Sequence, residues 1–337
     1  MAVFKTLFRD QEAISYVPNS SGTAKLQRNY NYSFIWFELV VNYTLQASAT
    51  FKYLNFANLI RSFQITGNGS TEFKNQSFNQ LVYQTYFYCQ GKMVNEVPVI
   101  DFNSATGANN TYTHVTRVLV PLASLTMSVP SDTGLISSNF QTLDYVINWT
   151  DTSAVGTNLV INSAQLKPVS FEKIETILPN ETTSLNLKLI QKLQSEQITT
   201  STNGYLINVP PNKQYNSFQF DLINGTTGAA CPNVVKAVKF LNGTDVITQV
   251  NVGSLKAENQ RRYDLNDELF KKVYATEITK NQVINPDAHF ILNFSDRGHY
   301  SNSKALTAFN MPQISIDTQL PADVTSLALN ISCNYAE

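Results

Sequence analysis

The side chains suited to acid–base or metal chemistry are few and widely separated in this sequence. The three histidines are His114, His289 and His299, and none stands at a metal-ligand spacing from another histidine or from a cysteine. The sequence contains no glycine-rich phosphate loop, no Gly-x-Ser-x-Gly elbow and no His-Glu-x-x-His helix. We therefore expect no catalytic residues, no metal and no cofactor.

Two carboxylates deserve separate treatment because similar tetrapeptides surround them. Asp132 lies in Ser131-Asp132-Thr133-Gly134 and Asp296 in Ser295-Asp296-Arg297-Gly298. A pair of carboxylates brought together by symmetric packing of two halves could hydrolyse a glycosidic bond. Ser-Asp-x-Gly is also ordinary turn chemistry, in which Asp caps its own backbone and Gly takes the unusual φ. The turn is the interpretation we favour.

Cysteine usage and the N-terminus both point to folding in a reducing compartment. Cys89, Cys231 and Cys333 are odd in number and far apart, which favours free thiols over disulfides or zinc. The first ten residues lack the apolar core of a secretory signal, so we expect none. The longest membrane-like run, residues 34–41, carries Glu38 and is too short to span a bilayer.

The composition is low in charge and rich in aromatic residues. Of the 337 residues 15% are charged, against about 25% in typical soluble proteins, and 11% are aromatic. Such a chain is neither disordered nor a coiled coil. A net charge of −1 gives no electrostatic case for binding nucleic-acid phosphates. A weakly charged surface suits extensive protein–protein contact, because interface cores are depleted of Lys, Glu and Asp.

The first 28 residues are predicted to form an N-terminal arm. Apolar and basic side chains alternate there, at Phe4, Lys5, Leu7, Phe8 and Arg9. A short segment of this kind can lie on a membrane or on the inner surface of a shell. It can equally be a terminus that is fixed on a neighbouring subunit, and the sequence favours neither.

Short strands separated by turn residues dominate the rest of the chain. Apolar residues alternate with period two at Tyr145, Ile147 and Trp149, for example, which indicates half-buried antiparallel strands. Helical patterns are limited to residues 181–197 and 264–277, and residues 78–88 are ambiguous. Many short strands with few helices predict an all-β sandwich or barrel.

The two halves of the sequence resemble each other. Residues 29–40 align with 212–223 at a spacing of 183, residues 58–65 with 233–240 at 175, and Phe78 and Leu81 with Val252 and Leu255 at 174. The order is kept while the spacing drifts, as expected when strands are fixed and loops vary in length. This pattern predicts two similar β-sandwiches. We assign residues 1–28 to the arm, 29–175 to a first jelly roll, 176–200 to a helical connector and 201–337 to a second jelly roll.

In these repeated segments the chain resembles the double jelly-roll major capsid proteins of tailless, membrane-containing icosahedral bacteriophages, the tectivirus-like lineage. The resemblance is carried by Asn58-Leu59-Ile60 with its strand, the Asn68-Gly69 turn and the segment that follows, and by the second-half sequence from Leu255 through Tyr263-Asp264-Leu265 to Asn285-Pro286-Asp287-Ala288-His289-Phe290. It covers nearly the whole chain in organisation, although no short motif defines this family.

The resemblance implies two eight-stranded antiparallel jelly rolls side by side, with three copies closing into a pseudo-hexagonal capsomer of an icosahedral shell around an internal membrane and genome. Its implied partners are further copies of the chain, penton and minor capsid proteins and the internal membrane, without sequence-specific nucleic-acid binding. The implied location is the virion, after synthesis in the host cytoplasm. The protein would be structural rather than an enzyme.

Two other functions remain open from the sequence. Some glycan-cleaving amidases are also tandem jelly rolls of about this length, and they would need an acidic cluster between the two domains. A carbohydrate-binding protein or adhesin would be monomeric and would use aromatic platforms such as Trp36 or Trp149.

Overall fold

A computed structural model describes residues 2–9, 11–51, 53–90, 110–123, 134–176, 189–228, 230–265, 288–294 and 309–336. These residues form two β-sandwiches, each made of two antiparallel sheets. The all-β prediction is confirmed.

Residues up to 176 form the first sandwich. One sheet has the order β1-β10-β4-β7 and the facing one β3-β9-β5-β6. The elements are β1 (Ala2–Phe8), β2 (Ile14–Ser15), β3 (Ser21–Lys25), β4 (Asn31–Phe51), β5 (Ile60–Gly67), β6 (Thr71–Gln76), helix α1 (Phe78–Tyr88), β7 (Thr111–Pro121), β8 (Leu135–Ile136), β9 (Leu143–Trp149) and β10 (Gly156–Thr176). Short 3-10 helices lie at Tyr53–Leu59, Ser137–Asn139 and Thr152–Ala154.

The second sandwich repeats this arrangement. Its sheets have the orders β11-β18-β13-β16 and β12-β17-β14-β15. The elements are β11 (Leu189–Ile198), β12 (Thr202–Asn208), β13 (Gln214–Asn224), β14 (Val235–Asn242), β15 (Asp245–Asn251), helix α2 (Val252–Arg262), β16 (His289–Asn293), β17 (Pro312–Thr318) and β18 (Leu327–Ala336). The strand orders are those of two jelly rolls, as predicted.

The duplication is visible in backbone detail. Helices α1 and α2 have 11 residues each and begin 174 residues apart. A register shift interrupts the β5–β6 hairpin after Ile65, and the β14–β15 hairpin shifts after Phe240, the aligned residue. The ambiguous segment 78–88 is therefore a helix. It begins at the Ser77 cap, whose side chain accepts a hydrogen bond from the Gln80 backbone.

The cores follow the alternation read from the sequence. In β4 the side chains of Ile35, Phe37 and Leu39 are fully buried between the sheets, and intervening residues face outward. Phe37 makes edge contacts with Phe63 and Tyr145 on the facing sheet, with ring centroids 4.9 and 5.1 Å apart. Aromatic pairs of this geometry add to the area-dependent stabilisation of the core.

Two predicted boundaries are wrong. Within the predicted helical connector at 176–200, residues 189–198 form strand β11, because they pair along their length with β18 and this ladder satisfies backbone groups. Residues 1–28 are not a separate arm, since β1 pairs with β10 from Ala2 to Phe8 and β3 pairs with β9. The predicted helix at 264–277 falls mainly outside the described residues, and the described helix in this region, α2, ends at Arg262.

Each helix covers a strand edge of its own sandwich. Asn259 in α2 donates through Nδ2 to the Ile291 carbonyl (2.8 Å) and accepts from the Ile291 N–H (2.7 Å). In the first sandwich Thr85 Oγ1 accepts from the Leu119 N–H at 2.8 Å. These contacts satisfy polar backbone groups at the outer edges of β16 and β7.

We expect Asn259→Ala to lower the free energy of unfolding by about 2–4 kcal/mol, because two buried backbone groups lose their partners. Urea denaturation followed by circular dichroism measures the change. Gln260→Ala, at the neighbouring and more exposed position, is the control. An Asn259→Ala loss no larger than the control's would contradict this assignment.

Candidate functional site: the seam between the two sandwiches

Two of the predicted chemical residues, His114 and His289, lie in the described part of the chain, and both are buried. His114 is buried in β7, where Nε2 lies 2.8 Å from Thr116 Oγ1 and the ring stacks on Phe56. His299, Asp132 and Asp296 lie outside the described residues. In the part of the chain that the structure describes, no three or more His, Cys, Asp or Glu side chains form a group that could hold a metal ion.

The cysteines are free thiols, as expected. Cys231 and Cys333 are buried and Cys89 is half-buried. Burial raises the pKa of Cys333 to about 12, which keeps this thiol protonated and unreactive.

The five predicted surface-contact residues lie in or next to β1. The backbone of Phe4 is paired with that of Ile174 and that of Lys5 with Lys173. Lys5, Phe8 and Arg9 are exposed, Phe8 by 87%, and Leu7 is half-buried against the core. They are therefore held on a sheet edge.

The most unusual feature of the molecule is the joint between its halves. Strand β11 of the second sandwich lies parallel to β6 of the first, with Gln191 beside Lys74. This pairing fuses a sheet from each sandwich into one eight-stranded sheet, β16-β13-β18-β11-β6-β5-β9-β3.

Buried polar side chains line this joint, which we call the seam. Lys74 is fully buried and donates through Nζ to Gln191 Oε1 at 2.7 Å. Gln76 Nε2 donates to Ser332 Oγ at 2.8 Å. On the adjacent strands Asn334 Nδ2 donates to Ser217 Oγ at 2.9 Å. Buried polar groups need such partners, because an unmade bond costs about 1–3 kcal/mol.

Helix α1 closes the seam from the first sandwich. Gln219 in β13 donates through Nε2 to the carbonyl of Gln80, at 3.0 Å, and lies 3.2 Å from His289 Nε2. The Tyr83 ring stacks on the His289 imidazole, with centroids 4.5 Å apart and planes 11° from parallel. Phe87 contacts the same imidazole at 5.3 Å.

Burial disfavours the charged forms of the ionisable side chains in the seam. It lowers the pKa of Lys74 well below its usual value and lowers the pKa of His289 to about 3. It also raises the pKa of Asp221, the cross-strand neighbour of His289, to about 7, against a smaller opposing effect of the hydrogen bond with Asn330. The Lys74 amine, the His289 imidazole and the Asp221 carboxyl could take part in acid–base chemistry if they lined a cleft. Here each of these residues is at most 1% exposed. The seam is a joint between domains, not an open catalytic site.

The seam residues Lys74, Gln191, Asp221 and His289 were not predicted as a group. The sequence contained one indication of an unusual position at Asp221. Asp221 aligns with Glu38 in the repeat, and both are acidic residues at outward positions of apolar strands. The sequence contained no signal that a second domain would cover Asp221. Glu38 forms an ion pair with Arg117 at 2.9 Å on a partly exposed face.

Comparison with known proteins gives matches to solved structures alone: no family model and no curated protein matches the chain. The crystal structure of the STIV MCP has a TM-score of 0.66 at 15% identity, covering 99% of this chain and 96% of that one. The major capsid protein P2 from Bacteriophage PM2 has a TM-score of 0.51 at 13% identity, covering 100% of this chain and 97% of that one. A PBCV-1 virus capsid model has a TM-score of 0.60 at 10% identity, covering 100% of this chain and 94% of that one.

These likenesses extend over the whole chain and show its fold, which is the double jelly roll. The predicted fold is confirmed. Among the described helices none is long and apolar enough to span a bilayer.

The Lys74–Gln191 hydrogen bond can be tested with a double-mutant cycle. Gln191→Leu should cost about 1–3 kcal/mol, because it leaves a buried amine without an acceptor. Lys74→Met combined with Gln191→Leu should recover most of this loss, since neither polar group is then buried unpaired. Urea unfolding of the four proteins measures the coupling, and additive effects of the two changes would contradict a direct bond.

The pH dependence of stability tests Asp221. Its pKa is raised in the folded state, so the stability it supports is complete below about pH 4 and is lost as the pH rises to about 7. Asp221→Asn removes this loss. The variant's advantage over wild type should grow from near zero at pH 4 to at most about 4 kcal/mol above pH 7.

Thermal unfolding of both proteins between pH 4 and pH 8 measures this difference. The same replacement at exposed Asp245 is the control. An advantage that is constant across the range would argue against titration of Asp221.

Proposed function

We propose that this chain is a viral major capsid protein that self-assembles as trimers, in which six jelly rolls form a pseudo-hexameric unit of an icosahedral shell. The shell would enclose an internal membrane and the genome. The protein acts by assembly and not by catalysis, so its functional surfaces are sheet edges and faces. Penton and minor capsid proteins are its further proposed partners, and the virion its location.

One observation carries the proposal, namely the fusion of two like sandwiches through the β6–β11 pairing. A subunit of this kind offers two similar building blocks held in one sheet. Three such subunits present six similar sandwiches, so a single chain can meet the differing neighbourhoods of a closed shell. Whole-length likeness to capsid proteins at 10–15% identity supports this by analogy of fold.

The free sheet edges also support assembly. Strands β1 and β15 each have one strand neighbour among the described residues. Both carry exposed apolar side chains, Phe8 on β1 and Val246 and Ile247 on β15. Apolar strand edges promote association and are normally covered or charged in monomeric proteins. Further copies of the chain would cover them.

Contact with the internal membrane would be made at β1 and the residue that follows it. The side chains with suitable chemistry are Lys5, Phe8 and Arg9, where a ring is flanked by cations. A neighbouring subunit is the alternative partner of the same residues. Vesicle flotation with wild type and Phe8→Ser would separate the two.

Size-exclusion chromatography with light scattering tests the assembly. We expect a mass near three times 37.7 kDa at micromolar concentration. A stable monomer would contradict the proposal and favour the carbohydrate-binding alternative. Release of sugars from a glycoprotein, abolished by Asp132→Asn or Asp296→Asn, would instead establish the enzyme.

A further inference from the structure

We infer that water molecules are bound inside the seam, where they bridge helix α1 of the first sandwich to Asp221 and His289 of the second. The site is internal to one chain, so this inference goes beyond the proposed function and does not depend on it. It comes from enclosed polar atoms whose hydrogen-bonding capacity is not used by any described protein group.

Several side-chain atoms of the seam are buried and have no hydrogen-bond partner in the described part of the chain. The residues that carry them belong to β6, α1, β13 and β16, and each is at most 1% exposed. In native proteins the great majority of such atoms are paired with a protein group or with an ordered water molecule. The atoms are Gln76 Oε1, Gln80 Nε2, Gln80 Oε1, Gln84 Oε1, Asp221 Oδ2 and His289 Nδ1.

Hydrogen bonds place these side chains above one stretch of β13. Gln76 donates to Ser332 Oγ at 2.8 Å, and Ser332 is the cross-strand neighbour of Gln219. Gln219 in turn donates to the Gln80 carbonyl at 3.0 Å. Asp221 follows Gln219 by two residues on the same face of the strand, a distance of about 7 Å. Strand β6, helix α1 and the second sandwich therefore all contribute unpaired atoms to one region of the seam.

The hydrogen on the His289 ring is located by a neighbouring side chain. The amide nitrogen of Gln219 donates to the Gln80 carbonyl and lies 3.2 Å from His289 Nε2. An amide nitrogen is a donor only, so Nε2 accepts from it and the neutral ring carries its hydrogen on Nδ1. Burial lowers the pKa of His289 to about 3, which favours the neutral ring. Nδ1–H is therefore a buried donor that needs an acceptor.

Asp221, the cross-strand neighbour of His289, supplies the complementary atom. Its carboxyl is hydrogen-bonded to the Asn330 side chain, which leaves Oδ2 unpaired. Burial raises the pKa of Asp221 to about 7, so near neutral pH the carboxyl exists in both its protonated and its ionised form. A protonated carboxyl oxygen donates, whereas an ionised one only accepts. A partner that serves both forms must be able to accept and to donate.

Water is the ligand class that matches this set of atoms. The donors at His289 Nδ1 and Gln80 Nε2 would repel a cation, and no group of three or more His, Cys, Asp or Glu among the described residues could hold a metal ion. The amide oxygens of Gln76, Gln80 and Gln84 and the Asp221 carboxyl would repel an anion. A water molecule donates two hydrogen bonds and accepts two, so it binds both kinds of atom at once.

Helix α1 supplies amides and aromatic rings to this site but no charge. Its residues, Phe78–Tyr88, include no charged side chain. Gln80 and Gln84 lie one helical turn apart. Between them Tyr83 stacks on the His289 imidazole with centroids 4.5 Å apart, and Phe87 contacts the same imidazole at 5.3 Å. These rings separate the imidazole from bulk solvent, so water bound at Nδ1 is enclosed.

The sign of a stability change tests the inference. The side-chain amide of Gln80 makes no hydrogen bond with a described protein group, so Gln80→Met, a replacement of similar volume, breaks no bond between such groups. If water binds the amide, the replacement removes hydrogen bonds and should lower the urea midpoint by roughly 0.3–1 M. If the amide is unpaired, the replacement removes a buried polar group without partners and raises the midpoint. An unchanged or raised midpoint would overturn the inference.

Gln260→Met is the matched control. Gln260 lies in α2 and is half-buried, so the same replacement there measures the effect of the side-chain change on a helix outside the seam. Both variants are compared with wild type at one protein concentration, because association of subunits also contributes to apparent stability. The loss in Gln80→Met should exceed the loss in the control.

A crystal structure of the full-length protein, at a resolution that shows ordered water, is the direct test. We expect electron-density peaks at hydrogen-bonding distance, about 2.7–3.2 Å, from both His289 Nδ1 and Asp221 Oδ2. In Gln80→Met the peaks within reach of the Gln80 amide should be lost. Pairing of Nδ1 and Oδ2 with each other or with other protein groups would overturn the inference. So would a peak at the metal-ligand distances of about 2.0–2.6 Å.

These outcomes are separate from those of the assembly experiment, because the site lies within one chain. A monomeric wild type would remove the proposed function and leave the bound water to be decided by the two tests above. A trimeric wild type without water in the seam would overturn this inference alone.

Discussion

The parallel pairing of β6 with β11 is the constraint on which the arrangement of this molecule depends. A jelly roll has open sheet edges, and an open edge either binds another strand or must be protected. Here the edge of one sandwich is closed by the first strand of the next, through Lys74 and Gln191. The position of α1 on the second sandwich and the course of the eight-stranded sheet both follow from that contact.

The seam is polar although it is buried. A lysine amine, an aspartate, a histidine and several amides are enclosed where apolar residues could have given more stability. The hydrogen bonds that cross the seam, however, require one relative position of the two sandwiches, so they hold the sandwiches in one register. The hydrogen bonds from Gln76 to Ser332 and from Gln219 to Gln80 join residues more than 130 positions apart. A subunit that must repeat its geometry in every copy of an assembly gains from such a joint.

Duplication followed by divergence explains why the two halves differ where they do. The cores kept their aromatic and aliphatic residues, because in both sandwiches alternate side chains of a strand must pack against the facing sheet. The outer faces diverged: Asp221 and His289 are enclosed within the chain, whereas Glu38 and Arg117 are partly exposed and form an ion pair. On the covered face burial disfavours the charged forms of both groups, whereas the partly exposed face carries an ion pair.

The sequence by itself determined the strands, the duplication and the two-sandwich fold, because these depend on alternation within a few residues and on turns such as Asn68-Gly69, where both residues take positive φ. It misassigned residues 189–198, since the apolar spacing there also fits a helix, and the pairing of β11 with β18 and β6 overrides local preference. Residues 1–28, which include β1, were likewise predicted to be an arm. Local patterns do not reveal the pairing of β1 with β10, because the paired residues are more than 160 positions apart. The seam was decided by tertiary structure alone: Lys74 and Gln191 are 117 residues apart, and their burial follows from the docking of one whole sandwich on another.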